Sequence, residues 1–481
     1  MKVAIVHYHL EPGGVTKVIE NTLSAWNQTS LDIQTVALSG RPYRGKVIPN
    51  AQVVEGLDYS DAKGSIDPKI LVQRMKDAVM DALGSLPDLW HVHNHSLGKN
   101  PALTAAVSCL ADQGEYLLLH PHDFAEDGRP ENFLSLQEVY KQAYPTSERI
   151  RYAVLNHRDK SFVQKLLDNS LSQVHLLANA IPFEDSSPPI PSADSKLPEN
   201  LYLYPVRAVR RKNLGELALL SAAYPEKHFA NSLGPTNPAF LDEFANWKSF
   251  CRELGLSVTF GLGETVSCSF PQLVDHSQAI VSTSVAEGFG LGFLEPWTFD
   301  KGLCGRNIRE ITQDFEKLGI DLNHLYERVE TDLSLLSDPN SLPKLLERAL
   351  SAFYHNYGKT PPEHAVRQAY DSMIDQGRID FGRINESLQK EILRNLVSSP
   401  NELEDLRKQL RMTPPGKDLV AKNKESVIKN FGLEAYAERL FKLYLDILSG
   451  KNEQVTYADG ERLLECFLRP TRLHLLQDQS T

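Results

Sequence analysis

The chain has 481 residues, too many for one hydrophobic core, so two or more domains are expected. Its 41% hydrophobic and 23% charged content is that of an ordinary globular protein, and no run approaches the ~18 consecutive apolar residues of a membrane span. Fifty-one Lys and Arg against 62 Asp and Glu leave a net charge of −11, which argues against nucleic acid or an anionic membrane as a general partner.

Residues 2–8 read as a buried first strand; the apolar start is too short for a signal peptide and lacks a small-residue cleavage site, so a cytoplasmic location is expected. His9-Leu10-Glu11-Pro12-Gly13-Gly14-Val15 then leads into a helix over 16–27. Gly13 and Gly14, adjacent before that helix, make either a cradle for phosphate or sugar oxygens or a bare tight turn. Strand candidates recur at 32–38, 52–56, 90–94, 116–120, 151–155 and 174–178, with helical patterns between them such as 70–83 and 134–144. That alternation implies a parallel sheet covered on both faces, with ligands at the carboxyl ends of the strands. Two of those ends are polar, Trp90-His91-Val92-His93-Asn94-His95 and Leu119-His120-Pro121-His122-Asp123. Alternation puts His91, His93 and His95 on one face, a spacing a metal could use, but strand histidines are more often satisfied structurally and no metal is expected. His120 and His122 each offer an imidazole that could polarise a hydroxyl or stabilise charge; a helix-capping Asp123 beside an incidental histidine is the plainer alternative.

Residues 181–199, rich in Pro, Ser and acidic side chains, read as a linker. A strand at 201–206 then runs into Arg207-Ala208-Val209-Arg210-Arg211-Lys212-Asn213. Arg207 and Lys212, five apart, can converge on one diphosphate from two sides, a fork and a point charge; a solvated basic turn is the alternative. Further strands are expected at 227–232, 258–261 and 279–282, with a helix over 240–253. The last strand opens AIVSTSVAEGFGLGFLEPW, residues 279–297. Gly288, Gly290 and Gly292 let backbone approach a ligand, and a helix starting near Leu291 would aim free N–H groups at an anion. Glu287 and Glu295 bracket that loop with seven residues between them, and carboxylates accept strongly from paired hydroxyls, such as those of a sugar at one end and a ribose at the other. A dinucleotide fingerprint does not fit, because Phe293 and Glu295 stand where its third small residue should be. Residues 340–412 read as several helices, including 342–354 and 384–397, and 430–450 place Leu433, Tyr436, Leu440, Leu443, Tyr444 and Ile447 on one helical face. The five cysteines are scattered without metal-ligand spacing and read as reduced.

The segment Glu287-Gly288-Phe289-Gly290-Leu291-Gly292-Phe293-Leu294-Glu295 resembles the glutamate-seven-glutamate motif of retaining glycosyltransferases of the GT-B fold, family 4 in particular. The resemblance covers residues 1 to about 310 and 417–450. It implies an α/β architecture of two Rossmann-like doubly wound domains facing a cleft: an acceptor domain at 1–180, the linker at 181–199 and a nucleotide-sugar donor domain at 200–339. An additional helical insert at 340–416, closing helices at 417–450 packing back on the first domain and a tail at 451–481 would follow. It further implies catalytic roles for Glu287, at the donor sugar, and for His122, with His120 the competitor because Pro121 leaves the match ambiguous by two residues. Donor binding would fall to Gly13, Gly14, Arg207, Lys212, the amides of Gly288, Phe289, Gly290 and Leu291, and Glu295 at the ribose; the turn at Gly261-Leu262-Gly263 would meet the base. Beyond Glu295 the chain departs from the family: the usual alanine-rich helix and Gly-x-Pro-Val strand are missing, and Gly305-Arg306-Asn307-Ile308-Arg309-Glu310 stands where a glycine-pair loop would end in glutamate.

The resulting expectation is a retaining, metal-independent hexosyltransferase. It would move a sugar from a UDP-, GDP- or ADP-linked donor to a hydroxyl of a small soluble acceptor, with no cofactor and with the helical insert a candidate homo-oligomer contact. The rivals are a sugar phosphorylase using inorganic phosphate at the same cations, a nucleotide-sugar epimerase, and a non-catalytic binding protein on a transferase scaffold.

Overall fold

Five consecutive apolar-rich residues form β1 (Lys2–Val6), whose Val3, Ala4, Ile5 and Val6 are buried on both faces, as a central parallel strand requires. The computed structural model describes residues 1–60, 66–168, 172–183, 197–451 and 453–477. It divides into two units: Met1–Pro182 with Lys429–Arg469, and Phe183–Ile428 with Pro470–Thr481. Of the expected 181–199 linker, 184–196 lie outside the described residues.

In unit 1, β1 is followed by α1 (Gly14–Asn27), β2 (Gln34–Ser39), β3 (Ala51–Val53), α2 (Pro68–Leu83), β4 (Leu89–His93), α3 (Pro101–Asp112), β5 (Leu117–His120), α4 (Pro130–Ser135), the two-residue β6 (Pro145–Thr146), β7 (Ile150–Val154), α5 (His157–Leu166) and β8 (Val174–Leu176). Seven strands make one parallel sheet in the order β3-β2-β1-β4-β5-β7-β8. The order reverses direction between β1 and β4, so a crevice opens at their carboxyl ends.

Unit 2 begins with β9 (Leu201–Arg207), α6 (Leu214–Ala223), β10 (His228–Leu233), α7 (Leu241–Glu253), β11 (Val258–Phe260), α8 (Phe270–His276), β12 (Ala279–Ser282), the one-turn α9 (Glu295–Thr298), β13 (Leu303–Gly305) and α10 (Arg309–Glu316). Its parallel sheet runs β11-β10-β9-β12-β13, with the switch between β9 and β12. Then come β14 (Glu330–Asp332), α11 (Leu342–His355), α12 (Ala365–Met373), β15 (Ile374–Asp375), β16 (Arg378–Asp380), α13 (Glu386–Val397), α14 (Pro400–Leu410) and α15 (Lys417–Phe431). The helices expected as an insert therefore belong to unit 2, where α13 and α14 pack on α6. A buried ionic knot joins this region to the sheet: Arg306 donates to Glu216 of α6 at 2.7 Å and to Asp380 of β16 at 2.9 Å, and Tyr326 also donates to Glu216. Gly305 to Glu310 is thus structural in its centre, with Arg306 only 4% exposed.

The chain returns to unit 1 with α16 (Leu433–Leu448), β17 (Thr456–Tyr457) and α17 (Glu461–Phe467). Tyr436, Leu440, Leu443, Tyr444 and Ile447 of α16 join Ile19, Leu23 and Trp26 of α1 in one core, and Tyr436 Oη lies 2.9 Å from Thr22 Oγ1. α15 belongs chiefly to unit 2, held by Asn423, which exchanges hydrogen bonds with the Asp321 backbone. The expected tail is built in: β17 pairs with β6, α17 packs on α5, and 470–477 lie with unit 2.

The helix expected over 134–144 does not form as one element. Pro130 opens α4 early, and a 3-10 turn at Tyr140–Gln142 replaces its continuation. Tyr140 and Tyr144 turn inward to donate to Glu126 Oε1 at 2.8 and 2.6 Å. Glu126 is fully buried, and desolvation raises its carboxyl from 4.5 to about 7.

Between those two values the folded chain keeps a proton that the unfolded chain has lost, so stability falls as pH rises through this window, by up to about 3 kcal/mol. Glu126→Gln removes the titration, so chemical denaturation at pH 5 and pH 8 should show the variant gaining stability relative to the parent at the higher pH. A difference that does not change with pH would contradict this account of Glu126.

Candidate active site

In unit 2 the loops leaving β9 and β12 are stitched together. Val285 N donates to Arg211 O at 2.9 Å, and Thr283 Oγ1 donates to Lys212 O at 2.8 Å. Those bonds bring Lys212 Nζ onto Glu287 Oε1, with both side chains mostly buried. Burial lowers the Lys212 ammonium pKa, while the Glu287 carboxylate opposes that shift. Ser284 Oγ donates to the same Glu287 oxygen at 2.6 Å and lies 2.6 Å from Tyr204 Oη, so a strand residue of β9 braces the carboxylate through one hydroxyl. Behind Lys212, Asn213 takes the left-handed conformation at φ 50° and opens α6; Gln389 of α13, fully buried, donates to its Oδ1 at 2.9 Å.

The glycine loop follows directly. Gly290 has φ 91°, and a Cβ there would crowd Ile311 and Phe293 at 3.0 and 3.1 Å, so the turn admits only glycine comfortably. Phe289 points into the core against Phe315, whereas Leu291, Gly292 and Glu295 are exposed. The helix expected from Leu291 is only a 3-10 turn, Leu291–Phe293, followed by the single turn of α9; Asp300 at φ 56° ends it. Arg207 is exposed and donates to Gly234 O at 2.9 Å, and no hydrogen bond or ion pair joins it to Lys212 or Glu287 among the described residues. Gly234 N in turn donates to Glu264, which follows the Gly261-Leu262-Gly263 turn. Beside this basic turn lies an apolar hollow whose lining includes Ala208, Val209, Phe240, Phe244 and Trp247.

In unit 1, Gly13 and Gly14 are exposed after β1, and a Cβ at Gly14 would meet no atom within 4 Å. The first turn of α1 has no side-chain cap, leaving its N–H groups open. His122 is held by its backbone: Asn94, at φ 54° after β4, accepts from His122 N at 2.7 Å and from Asp123 N at 3.2 Å. Asp123 itself pairs with Arg129 at 2.5 Å, so it caps no helix. His120 is fully buried and hydrogen-bonded to His91, which leaves His122, at 9% exposure, as the histidine nearer solvent.

The histidines do not line up as strand alternation implies. His95 turns away to Ala143 O at 3.0 Å, while His91, His93 and His120 bring one nitrogen each within 4.8 Å of one another. Three such nitrogens could hold a metal, but His91 Nε2 and His120 Nδ1 are engaged with each other at 3.1 Å and His91 Nδ1 with Tyr444 Oη at 2.9 Å.

No family model matches the chain. Along 98% of its length it is similar to the mannosylglucosyl-3-phosphoglycerate synthase of Petrotoga mobilis, with 24% identity and 98% of that protein covered. Among solved structures it is similar to a glycosyltransferase from Rickettsia africae, with TM-score 0.51, 13% identity, and 94% of this chain and 99% of that one covered. It also matches WaaG, a glycosyltransferase involved in lipopolysaccharide biosynthesis, with TM-score 0.49, 11% identity, and coverage of 92% and 99%. The chain is a glycosyltransferase of the GT-B fold.

Several residues that shape the candidate site carry no signal in the sequence. Tyr204, Ser284, Asn213 and Gln389 are ordinary members of a strand, a loop, a turn and a helix until the fold joins them, and Ser284 lies 80 residues from its Tyr204 partner. Ser284→Ala should lower turnover by about tenfold through loss of the brace on Glu287, with a stability cost of about 1–2 kcal/mol. Tyr204→Phe, one bond further out, should cost less. Steady-state kinetics with thermal melts would test this, and full turnover in Ser284→Ala would contradict the bracing role.

Proposed function

We propose that this transferase is a retaining, metal-independent, cytoplasmic enzyme that moves a sugar from a nucleoside diphosphate donor to a hydroxyl of a small acceptor. The observation that carries the reading is the Lys212–Glu287 pair at the switch point of the unit 2 sheet, next to the Gly288–Leu291 backbone. A cation there can stabilise the charge that grows on a departing diphosphate, and the backbone N–H groups of Gly290 and Leu291 are the loop donors assigned to it. Glu287, at the donor sugar's hydroxyls, and His122 are assigned catalytic roles, the exposed Glu295 is assigned to the ribose, and Gly13 and Gly14 are assigned to donor binding. Arg207 joins the diphosphate only by leaving Gly234 O, a rotation open to an exposed arginine.

In the proposed reaction the bond from the anomeric carbon to the diphosphate breaks while the acceptor oxygen bonds to the same face, and a leaving phosphate oxygen takes the acceptor proton. No second carboxylate on the opposite face is needed, in contrast to glycoside hydrolysis. The Petrotoga relative is named for a glycosylated phosphoglycerate. We therefore take a glycosyl phosphoglycerate as the first acceptor class to test.

A thermal-shift panel of UDP, GDP, ADP and their sugar conjugates, with free phosphate as control, tests the reading. One nucleoside diphosphate should stabilise the chain, by about 2.7 kcal/mol at a hundredfold excess over its Kd, and Lys212→Ala should lose that response. Glu287→Ala should lower kcat by orders of magnitude. A response to phosphate alone, or undiminished turnover in Glu287→Ala, would overturn the assignment.

A further inference from the structure

Histidines stand at alternate positions in β4 (His91, His93) and at the end of β5 and two residues beyond it (His120, His122), and their rings form a two-by-two block. His91 and His120 lie edge to edge in nearly one plane, 12° apart with centroids 5.3 Å apart, and so do His93 and His122, at 17° and 5.1 Å. Each row is joined by one nitrogen-to-nitrogen contact: His91 Nε2 to His120 Nδ1 at 3.1 Å, and His93 Nδ1 to His122 Nε2 at 2.8 Å. The rows stack, with His91 over His93 at 4.3 Å and His120 over His122 at 4.2 Å. His93 Nε2 and His120 Nε2 are buried without a partner. His122 Nδ1 is not buried in this way and has no protein partner among the described residues.

One proton must sit between His93 Nδ1 and His122 Nε2, and its owner decides what His122 shows to the outside. If His122 owned it, His93 would carry its own proton on Nε2, and a buried N–H would have nothing to bond. If His93 owns it, the orphan at Nε2 is a lone pair. Orphaned buried N–H groups are the rarer and costlier defect, so the second arrangement wins.

We propose that His93 is a positioning residue: by donating from Nδ1 it holds His122 in the Nδ1–H tautomer, so His122 meets the donor sugar as a hydrogen-bond donor and not as a base. The inference rests on the reading that His122 serves the donor sugar. Burial supports a single shared proton, since desolvation lowers His122 to about 4 and puts His93 well below the ordinary imidazole value, so neither ring is charged at neutral pH.

The tautomer can be read directly on the full chain at pH 7 with ¹⁵N-labelled histidine and long-range ¹H–¹⁵N correlation, using His122→Asn to identify the His122 signals. The expected pattern for His122 is a protonated, pyrrole-type Nδ1 and an unprotonated, pyridine-type Nε2; the reverse pattern overturns the proposal without any substrate. Two variants carry it to function. His93→Asn puts an amide near the Nδ1 position and should keep kcat within about threefold, whereas His93→Asp offers only an acceptor, drives His122 to the Nε2–H form and should lower kcat on the order of tenfold or more. His93→Asp with the reversed tautomer and kcat equal to that of His93→Asn would overturn the positioning role. The expected wild-type tautomer with unchanged kcat and KM in His122→Asn would instead overturn the donor-site reading on which the inference rests.

Discussion

An ammonium and a carboxylate can be taken out of water together far more cheaply than either alone, and the active region of unit 2 is built on that constraint. Lys212 leaves β9 and Glu287 leaves β12, adjacent strands on either side of the point where the sheet order reverses. Loops from such neighbours diverge by default, one to each face of the sheet. Here backbone and Thr283 hydrogen bonds hold them together, and the ion pair becomes affordable because Ser284 supplies a further donor to the carboxylate. In the proposed reading a phosphate enters this pair: the ammonium keeps its charge and exchanges one anion for another.

Unit 1 solves a different problem with neutral groups. Its switch point lies between β1 and β4, and polar residues there face a core closed by α16. Imidazoles serve because burial leaves them uncharged, and pairing them edge to edge satisfies half of their nitrogens without importing an ion. Tyr444 of α16 ends one row of the block, so the returning helix contributes both apolar burial and a hydroxyl. His122 is held at two points in consequence, its backbone by Asn94 and its ring by His93.

Much of the architecture is legible in the sequence, because most of the central strands are short, buried apolar runs and helices separate most of them. All eleven expected strands form, including β9 and β12, within a few residues of the expected limits. Lys212 and Glu287 are each legible as local motifs at strand ends, but that they pair with each other is not. What is not legible depends on partners far along the chain. The 134–144 helix fails because Tyr140 and Tyr144 are drawn to Glu126, whose need for hydroxyl donors no local pattern announces. The helix expected after the glycine loop shrinks to one turn, a limit that Asp300 imposes through its backbone. Arg207 has the right residue type and spacing, yet its side chain takes a carbonyl of β10's loop instead. The region after 340 reads as an appendage only because Gln389 and Asp380 give no sign that they buttress Asn213 and Arg306.

A crystal structure of the chain with the nucleoside diphosphate that stabilises it most would show whether Lys212 holds the diphosphate. Diphosphate oxygens should lie within about 3 Å of Lys212 Nζ and of the backbone N–H groups of Gly290 or Leu291, with Glu287 turned from the lysine towards the sugar side. A nucleotide whose phosphates lie away from Lys212, with the Lys212–Glu287 pair intact, would contradict that role.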